Sequence, residues 1–172
     1  MILANYNNFK RAVYSNMNYT SARLDVSSFG IKKTNGNVVD YIFFTGSGSD
    51  GIYARMDTAF LSGISLVVGT GSADPNYTDY ALGTDATSSF SFVSSSVAYN
   101  INQDNKFEIT YTATIQNTSG NDITLSEYGI TKKLYNTSAP DADIYTLILK
   151  DKMNNFTIPA NGIAVIVVKW TE

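Results

Sequence analysis

From Phe107 to Gln116 apolar and polar residues alternate without a break. Phe107, Ile109, Tyr111, Ala113 and Ile115 fall on one side; Glu108, Thr110, Thr112, Thr114 and Gln116 fall on the other. A period of two marks a strand with one buried and one wet face. Asn117-Thr118-Ser119-Gly120-Asn121 then turns the chain, and Ile123, Leu125 and residues 127–130 continue as the next strand. Residues 38–44, rich in β-branched and aromatic side chains, predict a strand after the turn Thr34-Asn35-Gly36-Asn37. Residues 52–55, 63–68 and 144–150 predict further strands, and residues 23–29 a short one. Residues 163–170 close the chain after the turn Pro159-Ala160-Asn161-Gly162. Residues 72–87, with Pro75 and several aspartates, read as a long loop, and only residues 53–61 suit a short helix.

Strands at this spacing, with no helices long enough for crossovers, predict an all-β fold: an antiparallel two-sheet β-sandwich, jelly-roll or immunoglobulin-like, over residues 36–172. The last strand, Ile163-Ala164-Val165-Ile166-Val167-Val168, is apolar on both faces. Such a strand lies centrally in its sheet, or has its second face covered by another subunit. Residues 1–35 fit neither period, because Asn5, Asn7, Asn8, Asn16 and Asn18 interrupt the aromatics; they read as an irregular N-terminal arm.

Composition narrows the chemistry. The 172 residues suit one sandwich domain, and 44% hydrophobic content supplies a core. There is no cysteine, hence no disulfide or thiolate metal site, and no histidine, the usual general base near neutral pH. Histidine-dependent triads are impossible within the chain, and the expectation is a protein that is not an enzyme and needs no cofactor. The net charge of −3 argues against nucleic acid as a partner. No apolar run approaches a membrane span, and Met1-Ile2-Leu3-Ala4-Asn5-Tyr6 has no secretory pattern. Five Asn-x-Ser/Thr triplets, at Asn18, Asn76, Asn117, Asn136 and Asn155, then follow from composition and not from glycosylation.

The charge is divided. Residues 1–35 carry Lys10, Arg11, Arg23, Lys32 and Lys33 against Asp25, a sum of +4, whereas residues 36–172 sum to −7. A basic, aromatic segment on an acidic body suits docking onto another protein. The candidate interface residues are Tyr6, Phe9, Lys10, Arg11, Tyr14, Tyr19 and Arg23, since aromatics in an irregular segment need a partner surface.

Other motifs read as loops. Thr45-Gly46-Ser47-Gly48-Ser49-Asp50-Gly51-Ile52 partly matches a calcium-binding nonapeptide, but that motif works in stacked copies and here stands alone. Gly69-Thr70-Gly71-Ser72 lacks the Lys and the following helix of a phosphate loop. Asp74, Asp79 and Asp85 are oxygen donors that a hard cation could use, although acidic loops are usually solvated.

Three segments together resemble a known family. They are Val67-Val68-Gly69-Thr70-Gly71 with Pro75, Asp79-Tyr80 and Leu82; Ile115 through the Asn-Thr-Ser-Gly turn to Ser126-Glu127-Tyr128-Gly129-Ile130; and residues 145–151 with Phe156-Thr157-Ile158-Pro159-Ala160-Asn161-Gly162 and the closing strand. In this order they resemble β-sandwich virion proteins of tailed bacteriophages, especially those infecting gut Bacteroides, including the crAss-like group. The resemblance covers roughly residues 63–172. It implies assembly in place of catalysis: an auxiliary capsid protein decorating the head, whose partner is the major capsid protein or another virion structural protein, with self-association into a homo-oligomer as a further expectation. It implies localisation in the virion after synthesis in the bacterial cytoplasm. The alternatives under the same resemblance are a tail, collar or fibre component, and a third reading is a carbohydrate-binding module using exposed tyrosines.

Overall fold

The computed structural model describes residues 1–15, 23–43, 63–134 and 144–171. The chain runs α1 (Ala4–Ser15), β1 (Arg23–Asp25), β2 (Tyr41–Phe43), β3 (Ile64–Gly69), β4 (Phe90–Ile101), β5 (Phe107–Asn117), β6 (Ile123–Leu134), β7 (Ile144–Ile158) and β8 (Ile163–Thr171). One sheet has the order β3-β6-β7, the other β4-β5-β8, and β1 and β2 form a small ribbon. All the strand pairs are antiparallel. The fold is the all-β two-sheet sandwich that the periodicity predicts.

The alternation in β5 becomes burial. Ile109, Tyr111, Ala113 and Ile115 point inward and meet Ala164, Ile166, Val168 and Trp170 of β8. Leu66, Val68, Leu125, Ile130 and Ile158 close the core from the opposite sheet. Each large aliphatic side chain buried in this layer contributes about 1.5–3 kcal/mol relative to leaving it exposed.

Three elements differ from expectation. The closing strand is not central: β5 lies between β4 and β8, and β8 is an edge. Strand β4 carries no local signal in the sequence, because Phe-Ser-Phe-Val-Ser-Ser-Ser has no clean period. Most of that strand is exposed on both faces, so no burial pattern was selected for. Residues 4–15 are helical and not irregular. Leu3, Tyr6, Phe9 and Ala12 recur every third residue, and all four are buried. That stripe packs α1 against β7, and packing overrides the poor helix propensity of three asparagines.

Hydrogen bonds fix the helix in place. Leu3 N–H donates to the Ile148 carbonyl (2.9 Å). The buried Asn5 side chain donates to the Lys32 and Leu147 carbonyls (3.0 and 3.1 Å) and accepts from Lys32 N–H (2.8 Å). The predicted strand near residue 23 is β1, which ends in a short 3-10 turn, Ser27–Phe29, closed by Gly30 at φ 67°. The strand expected at 52–55, the helix at 53–61, the single nonapeptide motif and Tyr19 lie outside the described residues.

Candidate functional site

The most enclosed charge among the described residues is Glu127 on β6, 1% exposed. Its Oε1 accepts N–H groups from Gly71 (3.0 Å) and Thr84 (2.8 Å), and its Oε2 accepts from Gly83 (3.0 Å). Lys150 Nζ stands 3.5 Å from Oε2 and 3.0 Å from Asp79 Oδ2. The neighbouring Ser126 hydroxyl donates to the Gly71 carbonyl (2.8 Å). Charged hydrogen bonds of this kind are about twice as strong as neutral ones. Both carboxylate oxygens are thereby committed to backbone donors, and the group clamps the 70–87 loop onto the sheet.

The glycines of this loop follow from the clamp. A Cβ on Gly69 would lie 2.5 Å from the Thr84 carbonyl oxygen and 2.7 Å from Glu127 Oε1, and one on Gly71 would collide with the same Oε1. Gly69-Thr70-Gly71 therefore cradles an anion, but the anion is the protein's own carboxylate.

A second clamp holds the turn between β5 and β6. The Asn117 side-chain amide is fully buried. It donates to the carbonyls of Asn121 (2.7 Å), Ile158 (3.0 Å) and Pro159 (3.1 Å). Its oxygen accepts from Ser119 N–H (3.0 Å) and from the Ser119 hydroxyl (2.8 Å). The Asn-Thr-Ser-Gly and Ser-Glu-Tyr-Gly segments are thus fold-holding devices that join the β6 region to distant loops.

The loop aspartates are likewise engaged within the chain. Asp79 pairs with Lys150, and Asp85 Oδ1 accepts Thr87 N–H (2.8 Å). Asp74 pairs with Lys152, whose hydrogen bond and charge hold the Asp74 carboxyl below its usual range. Among the described residues no group of three acidic side chains could hold a metal ion.

The candidate interface residues separate. Tyr6 and Phe9 are buried against the chain's own sheet, so the surface their aromatic rings need is intramolecular. Lys10 is half-buried, its ammonium 5.2 Å from the Tyr6 ring centre, and Arg11 is exposed beside it. Tyr14 lies in α1 and Arg23 opens β1, but their side chains fall outside the described set.

Among the described residues an uncovered surface is the outer face of β4-β5-β8. It grades from exposed Ser91, Ser94 and Ser96 on β4, through half-buried Thr110, Thr112 and Thr114 on β5, to an aliphatic row on β8. In that row Ile163, Val165 and Val167 are 63%, 62% and 53% exposed. Lys169 Nζ, 3.8 Å from Glu108, supplies the face with an ion pair at one end. Short hydroxyl side chains beside branched aliphatics make a surface another backbone can approach closely, suited to contact with protein. Beyond it the β4-β5 hairpin carries Tyr99 stacked on Phe107 at 5.9 Å, both exposed, with Ile101 exposed next to them.

The composition of β8 foreshadowed this surface, since a doubly apolar strand demands a second cover. The two clamps were not foreseeable from spacing, because Glu127 reaches residues 43 to 56 positions away. Compared with protein families, with characterised proteins and with solved structures, the chain matches none.

Proposed function

We propose that the chain is a structural component of a tailed-bacteriophage particle, an auxiliary protein that decorates the head and docks on the major capsid protein or its neighbours. The observation that carries this reading is the uncovered apolar row of β8, with further exposed apolar side chains at the β4-β5 hairpin. A sandwich with an apolar, hydroxyl-rich face fits a protein that binds a repeated protein surface. Resemblance of residues 63–172 to phage virion sandwiches supplies the particle. Lys10 and Arg11, exposed or half-exposed on α1, keep a basic contribution to docking in this reading, whereas Tyr6 and Phe9 do not.

A tail or fibre position is the second reading. Tyr77 and Tyr80 favour it, being exposed on the clamped loop where they offer rings to a host glycan. Quantitative mass spectrometry of purified particles tests the first reading. Copy numbers comparable to that of the major capsid protein support head decoration. Copy numbers matching a tail protein, or absence from the particle, overturn it.

A further inference from the structure

The two sheets have four outer edges, and the chain treats them unequally. An exposed edge presents unpaired N–H and C=O groups, and natural proteins cover, bulge or charge such edges. The β3 edge is covered by the following loop: Thr70 N–H donates to Thr84 and Ala86 N–H to Val68, both at 2.9 Å. The first half of the β7 edge is covered by Met1, Leu3 and Thr34: Leu3 N–H donates to Ile148, Lys150 N–H to Met1, and Thr34 N–H to Tyr145; its second half is bulged between Lys152 and Phe156. The β4 edge is broken by an irregularity between Phe92 and Ser94. Among the described residues the β8 edge is neither covered nor bulged, and its one charge lies toward the end of the strand. Its register with β5 is unbroken over nine residues, from Thr171 opposite Glu108 to Ile163 opposite Gln116. It contains no proline, and its only charge is Lys169.

The direction of its free groups can be derived. Asn117 N–H donates to the Gly162 carbonyl (2.9 Å), at the start of the β5-β8 ladder. In an antiparallel pair, alternate residues turn both backbone groups to the same neighbour. Ile163, Val165, Val167 and Lys169 therefore turn theirs to the open edge. The same residues carry the exposed outer row.

We infer that β8 pairs antiparallel with β8 of a second copy, joining two β4-β5-β8 sheets into one six-stranded sheet across a two-fold axis near Val165. The occupant is a second copy because β8 is complementary to itself. With Val165 on the axis, Val165 faces Val165 of the second copy, and Ile163 faces Val167 of the second copy. Every outer cross-strand pair at the centre is then aliphatic, the pairing that stabilises sheets. The charges allow it. Lys169 sits four residues from the axis, so the two lysines lie roughly 27 Å apart along the strand and do not repel across the interface. A two-fold contact of this kind is isologous and closes at two copies. Pairing one strand is a small interface, below about 1,200 Å², so the dimer should form in proportion to concentration. This inference stands independently of the virion assignment.

Sedimentation velocity of the full chain over a concentration series tests it, with three variants. The wild type is expected to show a monomer–dimer equilibrium. Val165→Lys places like charges face to face on the axis and is expected to be monomeric. Val165→Pro removes only the outward N–H, which an edge strand tolerates, and is expected to be monomeric while keeping the wild-type circular dichroism. Thr112→Lys, at the middle of the outer face and away from the edge, is expected to remain dimeric. A wild type that stays monomeric throughout, or variants at Val165 that still dimerise, overturn the inference. Dissociation by Thr112→Lys equal to that by Val165→Lys also overturns it, by showing face-to-face packing. If Val165→Pro does not fold, Val165→Lys and Thr112→Lys decide the matter.

Discussion

Glu127 Oε1 lies 3.0 Å from the amide nitrogen of Gly71, fifty-six residues earlier in the chain. The two positions depend on each other: the glycine has no Cβ because the carboxylate occupies its place, and the carboxylate is satisfied because the glycine N–H is there. Removing the charge leaves Lys150 facing Asp79 alone and presents an amide N–H to a backbone donor. Glu127→Gln is expected to destabilise the fold by about 3–5 kcal/mol in urea denaturation, the cost of breaking a buried pair. Gly71→Ala should cost a comparable amount in the wild type but much less in a Glu127→Ala background, because the collision partner is gone. Additive losses in that cycle contradict direct coupling.

Asn117 fastens the β5-β6 turn to the end of β7 through its buried amide. Asn117→Ala leaves the Ile158 carbonyl buried without its donor and is expected to cost about 3 kcal/mol. Asn117→Asp keeps the shape and the acceptor for Ser119 but loses the donors, so thermal unfolding should show nearly the same loss.

Phe9 and Arg11 stand two residues apart on α1 with opposite fates. Phe9→Ala is expected to destabilise by about 3–5 kcal/mol, as for a buried aromatic. Arg11→Ala should fall within about 0.5 kcal/mol of wild type. Deleting residues 1–15 would uncover β7 and test folding before docking. Lys10→Glu with Arg11→Glu is the cleaner probe of docking, with loss of particle incorporation at unchanged melting temperature as the expected outcome.

Lys132 on β6 is buried, and desolvation lowers its pKa from 10.5 to about 8. In the unfolded chain it keeps its proton to about pH 10.4. Between about pH 8 and 10.4 the unfolded state binds the extra proton, so this residue makes stability rise with pH across that window and lowers it below. Chemical denaturation at several pH values should show this rise in the wild type and its loss in Lys132→Met.

The sequence made the fold legible where one face is buried and the other wet. β5 alternates residue by residue, and burial follows it from Ile109 to Ile115. The doubly apolar β8 announced a need for cover but not its place at an edge. β4 was hidden because both its faces meet solvent, and α1 because its apolar stripe is four residues among asparagines. The clamps were hidden for a different reason. Gly69, Gly71, Asn117 and Glu127 are chosen by tertiary approach and not by local period, so their motif spacing invited phosphate or metal readings that the geometry answers within the chain.

The proposed role is tested most directly by electron cryo-microscopy of intact phage particles assembled in cells that express this chain. A head-decorating protein predicts the sandwich as a repeated density on the outer surface of the head, at equivalent positions on the capsomers, with β8 turned toward a neighbouring protein. Density for the chain confined to the tail, or a particle accounted for without it, contradicts that role.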